Sequence, residues 1–286
     1  MGIDWKVVYA LARRELASYL ANPAGYVFLT LFIAATAAGA FLQEGFFARN
    51  LADLALLNKV MPLILMLFVP AVTMNLWAEE RRVGTDELLL TMPVRDLEVV
   101  LGKFLGALGV YTVGLAFSLA NVVLLWWLGN PDAGLMVATY LGYWLVGAAF
   151  VAIGLLGSMF SSNATVAFIL AALGCAALVF SGTAPWANGI VGCGVFGAAA
   201  ALMWVSVTGS GKFAGVVAFG GALLGLGLWL SGAWPGFIAA FGLLSVDQHF
   251  YGFGEGVVRL GDVVYFLGIT TVVLYLCTFL IGRRHW

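Results

Sequence analysis

The chain has 286 residues, of which 63% are hydrophobic and only 9% are charged, and its formal net charge is −1. Charged residues normally make up about a quarter of a soluble globular chain, so this composition excludes a water-soluble fold. The mean hydropathy of +1.04 instead predicts an all-α, polytopic membrane protein.

The first residues predict an amphipathic helix that lies in the membrane interface. Residues 3–21 place apolar side chains at helical spacing around a charged cluster, Arg13, Arg14 and Glu15. Asn22-Pro23 is expected to end this helix and to turn the chain into the bilayer.

Eight apolar runs that follow are each long enough to cross a bilayer. They are residues 24–42, 60–78, 99–128, 135–160, 164–181, 186–207, 213–230 and 262–281. We expect residues 1–286 to form one transmembrane domain, in which the pair at 186–230 is additional to a six-span core. If that pair is re-entrant, six spans remain.

The distribution of Lys and Arg predicts that both termini lie in the cytosol. With eight spans, only Arg49, Lys59 and Arg259 of the 13 basic residues fall on the outer side. This bias follows the positive-inside tendency of membrane proteins.

The spans lack the side chains that intramembrane catalysis or ion coupling requires. Glu98, Lys103 and Asp262 lie near span ends, and the three cysteines show no metal-ligand spacing. Residues 208–213 (TGSGKF) lack the first glycine and the final Ser or Thr of a phosphate loop. We therefore expect neither an enzyme site nor a metal or cofactor in this chain, and we expect energy for any uphill transport to come from outside the bilayer. Coordination of a driving ion by backbone carbonyls and Asn75 or Asn121 is the alternative.

A charged stretch, residues 77–103, lies between the second and third spans and predicts a short cytosolic helix. It begins with a charged turn that continues the second span, formed by Glu79, Glu80, Arg81 and Arg82. Gly84 breaks that turn, and Thr85 is a good cap for the next helix. This helix contains Asp86, Glu87, Leu88, Leu89 and Leu90. Pro93 ends it, and Asp96 is expected to cap the third span. A solvated loop that only marks topology is the alternative.

Residues 237–260 predict an external segment before the last span. Residues 237–246 are too short to cross the bilayer, and residues 247–260 read DQHFYGFGEGVVRL. Four apolar residues repeat there at helical spacing: Phe250, Phe253, Val257 and Leu260. We expect them to anchor the segment to the outer membrane surface; an external gate is the alternative.

The charged stretch resembles the coupling-helix region of type-2 ABC (ABC-2) exporter permeases. The family pattern is close to EEKRxGTLELLLTLPVxxxExVLGKF, and residues 79–104 read EERRVGTDELLLTMPVRDLEVVLGKF. Residues 12–16 (ARREL) and 70–74 (PAVTM) are also similar to this family, particularly to its gliding-motility (GldF-like) branch. The carboxyl-terminal matches to that branch include His249, Phe250, Phe253 and Asp262.

The resemblance implies a permease subunit that couples ATP hydrolysis by a separate cytosolic ATPase to export, or to an envelope or motility process. It implies two ATPase subunits that hold ATP and Mg, a second permease half, identical or different, and a bacterial inner membrane. Residues 79–97 would be the coupling region, with the helix at 85–91 seated in an ATPase groove. The implied coupling residues are Glu79, Glu80, Arg81, Arg82, Gly84, Thr85, Asp86, Glu87, Leu88, Leu89, Pro93 and Lys103.

Two other classes of function stay open at this point. One is an integral-membrane scaffold that anchors a motility or envelope complex and transports nothing. The other is a membrane-embedded enzyme, which the poverty of polar residues in the spans disfavours.

Membrane lipid is an expected partner and nucleic acid is not. Residues 185–235 depart from the six-span pattern of the family.

Overall fold

The computed structural model describes residues 3–42, 53–85, 94–182, 185–208, 214–232 and 242–282. Every regular element in these ranges is an α-helix. In chain order the helices are α1 (Trp5–Ala21), α2 (Pro23–Phe41), α3 (Ala55–Thr73), α4 (Asn75–Val83), α5 (Asp96–Ser118), α6 (Ala120–Leu128), α7 (Ala133–Ser158), α8 (Ala164–Phe180), α9 (Pro185–Thr208), α10 (Ala214–Leu230), α11 (Val246–Gly254) and α12 (Leu260–Gly282).

The all-α, polytopic architecture predicted from the sequence is confirmed, and a helix lies at each of the eight predicted spans. Four helical stretches of the described residues are long and apolar enough to cross a membrane: Ala55–Val83, Asp96–Leu128, Ala133–Ser158 and Leu260–Gly282. The pair α1 and α2, bent by 81°, adds a fifth if it forms one broken span. The count of eight stays a prediction.

The chain divides into two compact units. Unit 1 comprises Met1–Cys175 with His249–Trp286, and unit 2 comprises Ala176–Gln248. Within unit 2, α9 and α10 pack closely enough that a Cβ on Gly197 would lie 2.7 Å from the carbonyl oxygen of Ala218. The two additional runs of the sequence therefore form a helical hairpin.

Helix α7 forms the centre of unit 1 and packs against α3, α4, α5 and α12. Its glycines admit large neighbours: a Cβ on Gly147 would lie 2.1 Å from the ring of Tyr111. The hydroxyl of Tyr111, which is buried, donates to the carbonyl oxygen of Tyr143 at 2.7 Å. The close approach and the satisfied hydroxyl explain how a tyrosine can lie fully inside an apolar bundle.

The predicted helix ends at Asn22-Pro23 and Gly84 are confirmed. Asn22 is the C-cap of α1, where the chain bends into α2. Gly84 is the C-cap of α4 and has a φ of +76°, a left-handed conformation in which a Cβ is disfavoured.

The prediction that Asp96 caps the following helix is wrong by one residue. Arg95 is the N-cap of α5, and Asp96 lies in the first helical turn. The carboxylate of Glu98 accepts the Arg95 N–H at 3.1 Å and so satisfies one of the amide groups that a helix start leaves without an intrahelical partner.

Candidate functional site

Lys103 is a fully buried cation near the start of α5. Its ammonium donates to the carbonyl oxygen of Leu76 at 2.6 Å and lies 2.8 Å from Glu80 Oε2. Glu15 Oε1 is 3.5 Å away, and the ring centroid of Trp77 is 4.7 Å away. Removing a charge from water costs several kcal/mol, so a buried ammonium requires partners of this kind. Lys103 thereby joins α5 to α1 and α4.

A second cation, Arg14, bridges the same two carboxylates from the solvent side. Its Nη2 lies 2.6 Å from Glu15 Oε1 and 2.8 Å from Glu80 Oε1. The side chain of Arg14 is 51% exposed, whereas that of Glu80 is 18% exposed. We call Arg14, Glu15, Glu80 and Lys103 the charged junction; its two cations and two carboxylates balance.

Close packing of α1 on α5 holds the junction together. A Cβ on Gly102 would lie 2.5 Å from Leu11 Cβ, and one on Gly106 would lie 2.6 Å from Glu15 Cβ. At the other end of α1, Glu98 Oε1 accepts the backbone N–H of Asp4 at 2.9 Å. Small residues that let two helices approach closely are a common packing device in membrane bundles.

Helix α4 carries the charged turn beyond the apolar α3. Glu79 pairs with the exposed Arg82 one turn later, and α4 then ends at Gly84. The hydroxyl of Thr85 donates back to the carbonyl oxygen of Glu80 at 3.4 Å. The chain therefore leaves α4 through a turn tied to the junction residue itself.

Arg81 lies on α4, and the remaining predicted coupling residues lie outside the described part of the chain. They are Asp86, Glu87, Leu88, Leu89 and Pro93. The helix at 85–91 stays a prediction, and the structure describes the chain that leads into it, up to residue 85.

The structure brings together only some of the predicted coupling and interfacial residues. Arg14, Glu15, Glu80 and Lys103 meet in the junction, whereas Arg13 is exposed on α1. The sequence interpretation missed Leu76 and Trp77. A signal for a remote partner was present, since Lys103 has Val99 and Ala107 one turn away on either side, and neither can neutralise a cation.

The residues predicted for the external segment lie at the opposite end of α3 and α7. His249 Nδ1 lies 2.8 Å from Asp262 Oδ1, and the His249 ring stacks on Tyr265 with centroids 3.8 Å apart. Phe250 stacks on Tyr143 at 5.5 Å. These contacts join α11 to α7 and α12.

Surface anchoring by Phe250 and Phe253 is a wrong prediction. The two side chains are 4% and 0% exposed, because α11 packs its aromatic side into the bundle. Gly142 of α7 lies beneath both rings. Val257 and Leu260 are exposed, as anchoring residues have to be.

In the described part of the chain, no group of three or more His, Cys, Asp or Glu side chains is placed to hold a metal ion. The charged junction contains cations and carboxylates that neutralise each other at short range. Such an arrangement positions helices and offers no open coordination site.

Comparison with protein families decides the class. A family model described as ABC-2 family transporter protein matches residues 47–191, just over half of the chain. The chain belongs to the ABC-2 transporter family. The match includes α4, Gly84 and Lys103, whereas α1, α2, α10, α11 and α12 lie outside it. No curated protein matches the sequence.

Membership in the ABC-2 family confirms the coarser predictions of class. The chain is a multi-pass membrane component of a transporter, and the membrane subunits of this family are not themselves catalytic. ABC-2 membrane components work with a cytosolic ABC ATPase. The likeness to the gliding-motility branch stays a prediction.

Proposed function

We propose that this ABC-2 protein is the permease subunit of an exporter in which a separate cytosolic ATPase drives export of a substrate, or an envelope or motility process. The observation that supports the proposal is the position of α4 between the apolar bundle and the predicted coupling helix. It leaves the apolar α3, is tied by Glu80 to α1 and α5, and stops at Gly84 directly before residues 85–91.

In this proposal the helix at 85–91 receives the motion of the ATPase and α4 is the lever that passes it on. Because Glu80 pairs with Lys103 and Arg14, a displacement of α4 would move α5 and α1 at the same time. Lys103 is fully buried and therefore acts as a positioning residue. ATP and Mg are held by the partner ATPase.

The proposed assembly contains two ATPase subunits and a second permease half in a bacterial inner membrane. The termini and the α4 end face the cytosol, which the concentration of Lys and Arg at these ends supports. The GldF-like matches near α11 and α12 favour the gliding-motility branch. A non-transporting scaffold is the second candidate.

The direct test is recovery of the ATPase with the tagged, full-length chain. Glu87→Arg reverses a charge in the proposed contact, and we expect about tenfold less ATPase in the purified complex, as for loss of an interfacial charge pair. Gly84→Pro is expected to act in the same direction, because proline fixes φ near −65° whereas Gly84 has a φ of +76°.

Glu255→Arg is the matched control, since it makes the same charge reversal at an exposed residue beside α11. Equal recovery of the ATPase with Glu87→Arg and Glu255→Arg would contradict the proposed contact. Absence of any ATPase from the wild-type preparation would favour the scaffold.

A further inference from the structure

A cavity of about 560 Å³ lies beside the charged junction, between α1, α3, α4 and α5. Arg14, Tyr19 and Glu79 line its polar side. Its floor includes Val72 and Val110, both buried. Each valine lies about two helical turns from the charged residues of its own span, toward the middle of the bundle. The lining of the cavity therefore changes from charged to apolar along the axes of the helices, from the charged residues toward the middle of the bundle.

An apolar groove of about 450 Å³ lies between α1, α2 and α5, and two of these helices, α1 and α5, also line the cavity. Leu20, Ile33, Val113 and Phe117 are among its lining residues. Leu20 is the neighbour of Tyr19, and Val113 lies about one turn beyond Val110 on α5. The order from charged cavity to apolar floor to apolar groove is that of an amphiphile with a head group and an acyl chain.

We propose that the cavity and the groove together bind one membrane phospholipid, with its head group at Arg14 and Tyr19 and an acyl chain along Ile33, Val113 and Phe117. The volumes lie in the range of ordinary ligand pockets. This site does not depend on the ATPase contact proposed above.

The tyrosine hydroxyl supplies an observation independent of the cavity's shape. The Tyr19 hydroxyl is buried, and among the described residues it has no hydrogen-bond partner. A buried polar group without a partner is costly. In this proposal the Tyr19 side chain, which lines the cavity, turns its hydroxyl toward a phosphate oxygen when the lipid binds.

Charge balance selects the class of head group. The cavity is lined by two cations, Arg14 and Arg82, and by three carboxylates, of which Glu15 and Glu80 also pair with buried Lys103. With Lys103 included, positive and negative charges are equal, so the site offers no net attraction to an anionic lipid. A zwitterion with a phosphate and a primary ammonium, such as phosphatidylethanolamine, meets both signs.

The experiment uses the full-length chain in bilayer nanodiscs with phosphatidylethanolamine that carries a photoactivatable diazirine on one acyl chain. We expect crosslinks to concentrate on α2 and α5 near Ile33, Val113 and Phe117. Unlabelled phosphatidylethanolamine should compete at about tenfold lower concentration than phosphatidylglycerol with the same chains, since only the former offers the ammonium that the carboxylates bind.

Tyr19→Phe removes only the hydroxyl and should weaken competed labelling about tenfold, the value of one hydrogen bond to a charged group. Tyr9→Phe is its control, because Tyr9 is exposed on the same helix and does not line the cavity. Val113→Trp fills the groove and should abolish the α5 crosslinks while labelling of the exposed Tyr275 face of α12 persists.

Three results would overturn the proposal. They are crosslinks distributed equally over the α12 face, unchanged labelling in both Tyr19→Phe and Val113→Trp, and competition by phosphatidylglycerol that equals that of phosphatidylethanolamine. No ATPase is present in this assay, so its failure is distinct from a failure of the coupling proposal.

Discussion

Each end of unit 1 holds a contact between ionisable side chains of different helices, but the two contacts differ in burial and in sequence separation. At one end Lys103 is 0% exposed, and its partner Glu15 is 88 residues away in the sequence. At the other end His249 and Asp262 are 13 residues apart, with side chains 26% and 12% exposed.

The comparison shows that similar contacts between charged side chains have different structural roles at the two ends. A buried ammonium requires neutralising partners, so the contacts of Lys103 with Glu15, Glu80 and Leu76 hold α1, α4 and α5 together.

The histidine pair closes a local turn between α11 and α12, where His249 also stacks on Tyr265. Phe250 stacks on Tyr143 and so joins α11 to α7. We expect the first end to transmit displacement and the second to fasten a short helix.

Lys103→Met is expected to have the largest effect on stability. It removes the buried one of the two cations that Glu15 and Glu80 share, and the expected loss is about 3–5 kcal/mol in the free energy of unfolding. Unfolding of the purified chain by SDS in mixed micelles measures it. The double variant Lys103→Met with Glu80→Met should recover much of the loss; no recovery would show that the ion pair is not the cause.

Asp262→Asn is expected to cost less, about 1 kcal/mol in the same measurement. The pair with His249 is partly exposed, and the amide keeps a hydrogen-bond partner for the ring. A loss as large as that of Lys103→Met would remove the distinction between the two ends.

Arg14→Gln is expected to have the smallest effect, about 0.5–1 kcal/mol. Its guanidinium is half exposed, so solvent screens its pairs with Glu15 and Glu80. Arg13→Gln is the matched control on the same helix, where the side chain is exposed. Equal stability of the two variants would exclude Arg14 from the charged junction's stabilising contacts.

Hydropathy and breaker residues predicted most of the helices and several of their ends. Gly84 and Asn22-Pro23 act through local backbone geometry, which the sequence displays directly. The error at Asp96 has a local cause too, because Glu98 supplies the carboxylate that the helix start uses.

Local sequence patterns could not predict the contacts of the charged junction. Lys103 counted as one more basic residue on the cytosolic side, and its partners lie on helices that only the tertiary fold brings near. The prediction that Phe250 and Phe253 anchor the segment to the membrane surface failed for a related reason. Helical spacing identifies an apolar face, but in a membrane protein lipid and neighbouring helices are equally acceptable environments for it.

Hydrogen exchange on the complete complex, with and without a non-hydrolysable ATP analogue, tests the central claim most directly. If the charged junction transmits the motion of the ATPase, exchange in α4 and α1 should change together when the analogue binds, while α11 stays constant. A change confined to α4, or no change in either helix, would contradict the account.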